Sequence, residues 1–193
     1  MILCQNRSMA TKTKKSGKKS GNKSTKSKKA ASSQTPSYLG LLNAIAVAET
    51  EAERFLLGWA NVSPNPEVVE ALKFVAMREG EHGKAFAKRM LELGHEVRWP
   101  ASTASDAKFA MACSSMSDLE KFDAFGVGRK PGGPDVFDRM FENKDLDPVT
   151  GGLLGRYIAE ERDSGRVLRT ARTCAKAYAE KSAHAKKPAA AKK

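Results

Sequence analysis

Residues 78–86 read Arg78-Glu79-Gly80-Glu81-His82-Gly83-Lys84-Ala85-Phe86. Glu79 and His82 stand three apart, so on a helix they share a face. That face continues the apolar series Leu72, Val75, Ala76, Phe86, Met90 and Leu93, whose steps of three and four predict an α-helix. A carboxylate and an imidazole on the buried side of a helix are costly unless something pairs with them. A metal ion would do so. The spacing alone also arises by coincidence in a charged helix end, so the flanking chain has to decide.

Upstream, a first helix is expected from Pro36–Ser37 to about Asn61–Ser63, with proline in its first turn. Its stripe is Leu42, Ile45, Glu49, Ala52, Leu56 and Trp59, so Glu49 occupies a core position in an otherwise apolar series. In Ser63-Pro64-Asn65-Pro66-Glu67, Asn65 is placed to cap a second helix and Pro66 to open it. That helix runs to about Leu93 and stops at Gly94. Glu49 and Glu79 are equidistant from Pro64, so an antiparallel hairpin with equal arms sets the two carboxylates at one height. Glu53 would miss that level by roughly 6 Å, at about 1.5 Å rise per residue.

Downstream, Trp99 and Pro100 mark a linker, and a third helix is expected over about residues 102–125, ending at Gly126. Its stripe carries Phe109, Cys113, Met116, Glu120 and Asp123, and the pattern does not choose between the two acids. Residues 126–134 are a Gly- and Pro-rich loop, and residues 135–143 allow a short helix. Asp147-Pro148 starts a fourth helix to about Glu180, along Leu154, Tyr157, Glu161, Ser164, Leu168, Ala171, Ala175 and Tyr178. Residues 160–168 align without a gap on residues 78–86, matching acid, glycine, basic and apolar positions. Glu161 falls on Glu79, as two fused helical hairpins would give. Ser164 stands where a second histidine would be. Shifting the register by one puts Glu160 and Asp163 in the two ligand positions instead, and both registers remain open.

The chain has 193 residues, 40% of them hydrophobic and 29% charged, with a net charge of +12. The positive excess is confined to the ends. Residues 1–36 hold Arg7 and nine lysines (Lys12, Lys14, Lys15, Lys18, Lys19, Lys23, Lys26, Lys28 and Lys29) and no acid. Residues 181–193 hold five more lysines and no acid, which leaves 19 basic against 22 acidic residues in 37–180. Segments of Lys, Ser, Thr, Gly and Ala cannot bury enough surface to offset their ordering entropy, so both tails are expected to be disordered around one folded domain, 37–180. Their lysines suit sequence-independent contact with nucleic acid by counterion release. A merely solubilising role or a membrane-surface contact is the plainer alternative.

Cys4, Cys113 and Cys174 form no Cys-x-x-Cys pair. That excludes a zinc ribbon or rubredoxin-type iron centre and fits a reducing, cytoplasmic setting. The longest apolar run, residues 38–48, is too short to span a bilayer, so no membrane partner is expected. No signal peptide is read at the N-terminus, and Met9 is an alternative start to Met1. Cys113 and Cys174 read as buried thiols, His95 and His184 as surface residues, and Trp59, Phe74, Phe86, Phe109 and Tyr157 as core. Neither a nucleophilic triad nor a phosphate-binding glycine loop is present.

A helix 1 Glu, a helix 2 Glu-x-x-His, a helix 3 acid and a helix 4 Glu together resemble the ferritin-like superfamily of di-iron carboxylate proteins. Residues 48–55 and 79–84 look most like the first hairpin of its rubrerythrin-like group, and the resemblance covers about residues 37–180. It implies an all-α, antiparallel four-helix bundle whose core holds two irons, with manganese as an alternative, used for oxygen or peroxide chemistry, oxidation or iron storage. Carried over, Glu49 and His82 are terminal ligands and Glu79 and Glu161 bridge, while Glu120 or Asp123 supplies the helix 3 carboxylate. The missing Cys-x-x-Cys domain and second histidine are departures. They leave open a site with two ions, one or none, and hence a metal-free, dimerising bundle that compacts DNA through its tails. The expected setting is bacterial and nucleoid-associated, as with ferritin-like DNA-protection proteins; RNA hydroxylation, known among ferritin-like enzymes, is a weaker third reading.

Overall fold

The turn at residues 61–65 reverses the chain between its two most extensively paired helices. In the computed structural model, which describes residues 36–101, 103–129 and 137–185, these are α1 (Leu39–Ala60) and α2 (Pro66–Glu92). Asn65 caps α2, its side-chain oxygen accepting from the Glu67 amide at 3.0 Å, with Pro66 opening the helix. The chain continues through α3 (Thr103–Ala112), α4 (Asp118–Phe125), a short 3-10 helix (Asp138–Phe141) and α5 (Pro148–Ala185). All regular structure among the described residues is helical. Residues 1–35 and 186–193, including the nine N-terminal lysines and Cys4, lie outside the described residues.

Three boundaries differ from expectation. The single third helix is two, because residues 113–117 leave the helix and Ser117 starts a new one. Its hydroxyl accepts from the Glu120 amide at 3.3 Å, while the Glu120 carboxylate takes the Ser117 amide at 2.8 Å. The short helix at residues 135–143 is a four-residue 3-10 turn, and the last helix runs past residue 180 to Ala185.

Tight packing of α1 on α2 depends on the glycines of residues 78–86. A Cβ on Gly83 would lie 2.5 Å from Thr50 Oγ1 and 3.1 Å from the Thr50 amide, and one on Gly80 would run into the Glu53 carboxyl group. Thr50 cannot turn aside freely, since its hydroxyl donates to the Ala46 carbonyl at 2.8 Å. Gly83→Ala is therefore expected to destabilise by about 1 kcal/mol, because overpacking of about 1–3 kcal/mol outweighs the roughly 1 kcal/mol gain in helix propensity. Gly151→Ala, with open space around it, is the control. Thermal melts in which Gly83→Ala stabilised as much as the control would refute the close approach.

Contacts fix the directions of the other helices. Arg78 with Asp163, His82 with Glu160 and Arg89 with Thr150 show α5 antiparallel to α2. Tyr38 with Asp147 and Glu49 with Tyr157 show it parallel to α1. Helix α4 lies across the far end of α1, where Asp118 accepts from the Trp59 indole at 2.7 Å and from Ser63 at 2.8 Å. The core forms two apolar layers, one around Trp59, Leu72, Phe122 and Leu168, the other around Leu42, Ile45, Phe86 and Leu154.

Asp147 fastens the start of α5. Its carboxylate accepts from Tyr38 and Thr150 hydroxyls at 2.6 Å, Arg89 at 2.9 Å, and the Val149 and Thr150 amides at 3.0 Å. The Thr150 and Tyr38 hydroxyls hold its carboxyl well below the usual carboxylate range. Asp147→Ala is expected to cost about 2 kcal/mol at neutral pH, as loss of a cap plus charge-assisted bonds. A depressed native pKa gives stability that is complete above the unfolded value near ~4 and lost as pH falls through the native value. The gap between wild type and variant in denaturant melts should therefore close as the pH is taken down through and below that range; a pH-independent gap would refute this linkage.

Candidate metal centre

Between the two apolar layers lies a layer of charge. Glu49 from α1, Glu79 and His82 from α2 and Glu161 from α5 each offer one donor atom, all within 4.8 Å of one another. All four are at most 8% exposed. They meet because each sits on the apolar stripe of its helix and because the α1–α2 hairpin has equal arms.

His82 organises the group. Its Nε2 lies 2.7 Å from Glu160 Oε2, while Nδ1 faces Glu161 Oε1 at 3.4 Å and Glu79 Oε2 at 3.6 Å. Glu160 is itself held by Arg156 at 2.9 Å. This carboxylate behind the imidazole fixes the ring; with the Nε2 proton directed to Glu160, loss of the Nδ1 proton would free that lone pair for an ion. Opposite, the Tyr157 hydroxyl donates to Glu49 Oε1 at 2.7 Å, and its ring packs edge-on to His82.

The protonation pattern follows from burial and crowding. Burial and the neighbouring Glu79 carboxyl push Glu49 up. Burial would do the same to Glu79, but the nearby His82 and the facing carboxyls hold it down. Glu161 is raised by burial. Burial acts against the charged imidazole, yet Glu161, Glu79 and Glu160 outweigh it and hold His82 protonated up to about 10. Glu79 Oε2, His82 Nδ1 and Glu161 Oε1 are each buried without a hydrogen-bond partner. Three such atoms facing one another leave the donor set incomplete.

No family model matches the sequence, and comparison with curated proteins and with solved structures returns no match either. The orphaned donors fit a cation, and three carboxylates with one imidazole suit a divalent metal ion.

The other expected ligands lie elsewhere. Glu120 is spent on the cap of α4, with its carboxylate at the surface. Asp123 pairs with Arg129 at 3.0 Å and Arg172 at 2.6 Å, also at the surface. Helix α4 ends at Gly126, whose φ of 68° suits glycine, and Val127 and Phe137 then line the wall beside the acids. Asp163 turns away to Arg78 and Arg166. The sequence pattern places Tyr157 in the core, but its hydroxyl contact depends on the relative height of α1 and α5, which no local pattern reveals. Among the remaining readings, Cys113 and Phe74 are exposed and Cys174 and His95 half-buried.

Beside the carboxylates is a cavity of about 40 Å³, lined by Glu49, Glu79, Glu161 and Tyr157 and otherwise by apolar side chains such as Ile45 and Phe55. It has room for one or two waters or a molecule of similar size. No helix of the described residues is long and apolar enough to cross a membrane.

Proposed function

We propose that this chain is a metal-binding helical protein in which a bound ion meets a small oxygen species, dioxygen or peroxide. The observation that carries this reading is the convergence of three orphaned buried donors beside a cavity too small for an organic substrate. Glu49, Glu79, His82 and Glu161 would hold the ion, which would supply a Lewis-acidic, redox-active centre. Glu160 orients the imidazole, Tyr157 holds Glu49 and can move a proton at its Oε1, and the flanking apolar layers exclude bulk water. The helical hairpin, the parallel α1 and α5 and the antiparallel α2 and α5 support a variant ferritin-like four-helix bundle, with α4 as a shortened third helix.

Metal analysis of purified protein after aerobic iron loading tests this. Bound iron lost in Glu79→Ala, with peroxide consumption lost alongside it, is the expected result; wild type that retains neither iron nor manganese would sink the reading. In that event the alternative is a metal-free bundle, favoured by the ion pairs that His82 already makes with Glu160, Glu79 and Glu161. In either case we propose that the N-terminal lysines bind nucleic acid electrostatically, placing the protein at the nucleoid and, in the metal-free reading, presenting the tails from a homodimer. Deleting residues 10–35 should then abolish salt-sensitive DNA retention, and unchanged retention would refute the tail's role.

A further inference from the structure

We infer that the centre is built for one ion, its second half having been closed by Arg78 and Ser164. This rests on the metal-binding reading above and sharpens it. The alignment of residues 160–168 on residues 78–86 makes α2 and α5 two copies facing each other antiparallel. In such a pair, a contact made by one copy has a mate in the other. Glu160 against His82 has its mate in Arg78 against Ser164, since Arg78 aligns with Glu160 and His82 with Ser164. Both contacts are present: His82 Nε2 to Glu160 at 2.7 Å, and Arg78 Nη1 to Ser164 Oγ at 3.3 Å.

The two mates differ in chemistry where it matters. On one side a carboxylate backs an imidazole whose other nitrogen has no hydrogen-bond partner and faces Glu79 and Glu161. On the other a guanidinium donates to a hydroxyl that is 2% exposed, so the position of a second nitrogen ligand holds a serine hydroxyl with a fixed cation behind it. Arg78 is firmly placed. The same nitrogen reaches the Glu160 carbonyl and Asp163 at 3.0 Å, and the guanidinium stacks on Phe74 at 4.6 Å. Ligand supply agrees. Glu120 and Asp123 are committed at the surface, leaving four converging donors, enough for one ion with a solvent or substrate position and few for two.

Full-length apo-protein titrated with Mn(II), and anaerobically with Fe(II), decides the matter. One ion per chain, with an uncoupled six-line Mn(II) resonance, is expected. Two per chain with an exchange-coupled spectrum would overturn this inference while leaving the metal reading intact. No bound ion would remove both. The variant Arg78→Gln with Ser164→His restores a second imidazole with a neutral residue behind it. It should bind two ions per chain; a folded variant still binding one would show that this pair does not close the second position. If the variant does not fold, the wild-type stoichiometry still decides.

Discussion

His82→Ala is expected to lower the melting temperature of the metal-free protein by about 10 °C and to weaken metal binding more than about 100-fold. Without an ion, the imidazolium is, among the described residues, the one cation paired with Glu79 and Glu161 in a layer with little access to solvent. Removing it strands buried carboxylates, and breaking a buried pair from one side costs about 3–5 kcal/mol. The ring also fills space edge-on to Tyr157, with centroids 5.0 Å apart, so packing is lost as well. Calorimetry of the apo forms checks the first part and metal titration the second. A variant as stable as wild type would mean that the carboxylates are already neutral without His82.

The first hairpin was legible because its signals are local and agree. Asn65-Pro66 sets the start of α2, and the stripes of α1 and α2 put Glu49, Glu79 and His82 on inner faces. Glu120 misled for a physical reason. A glutamate three residues after a serine can cap a helix start, and the same glutamate lies on an apolar stripe if the helix is taken to run through. The sequence Ser117-Asp118-Leu119-Glu120 carries the capping signal, and the cap prevails because residues 113–117 leave the helix. The pairings of Arg78 with Ser164 and Glu160 with His82 were half visible. The repeat aligns the residues, but which of Glu160 and Glu161 faces inward depends on the rotation of α5, set by distant packing of Leu154, Ile158 and Leu168.

Glu49→Gln should act in the opposite direction on stability, and this contrast separates a functional cluster from a structural one. Three carboxylates with donor atoms within 4.8 Å repel one another in a poorly solvated layer. The amide is nearly isosteric, can still accept from the Tyr157 hydroxyl, and can donate to the orphaned Glu79 Oε2. Burial and Glu79 already hold Glu49 protonated in the folded apo-protein, a cost the unfolded chain does not bear, and the amide removes that cost and satisfies one buried acceptor. The apo-protein is therefore expected to gain about 1–2 kcal/mol, a rise of roughly 2–8 °C in melting temperature. Metal binding should fall more than about 100-fold, because an anionic donor becomes a neutral one. Stability given up for a binding constellation is the mark of a site under functional constraint. If Glu49→Gln instead destabilised the apo-protein, the carboxylates would be serving the fold through their pairing with His82, and the metal-free reading would take precedence.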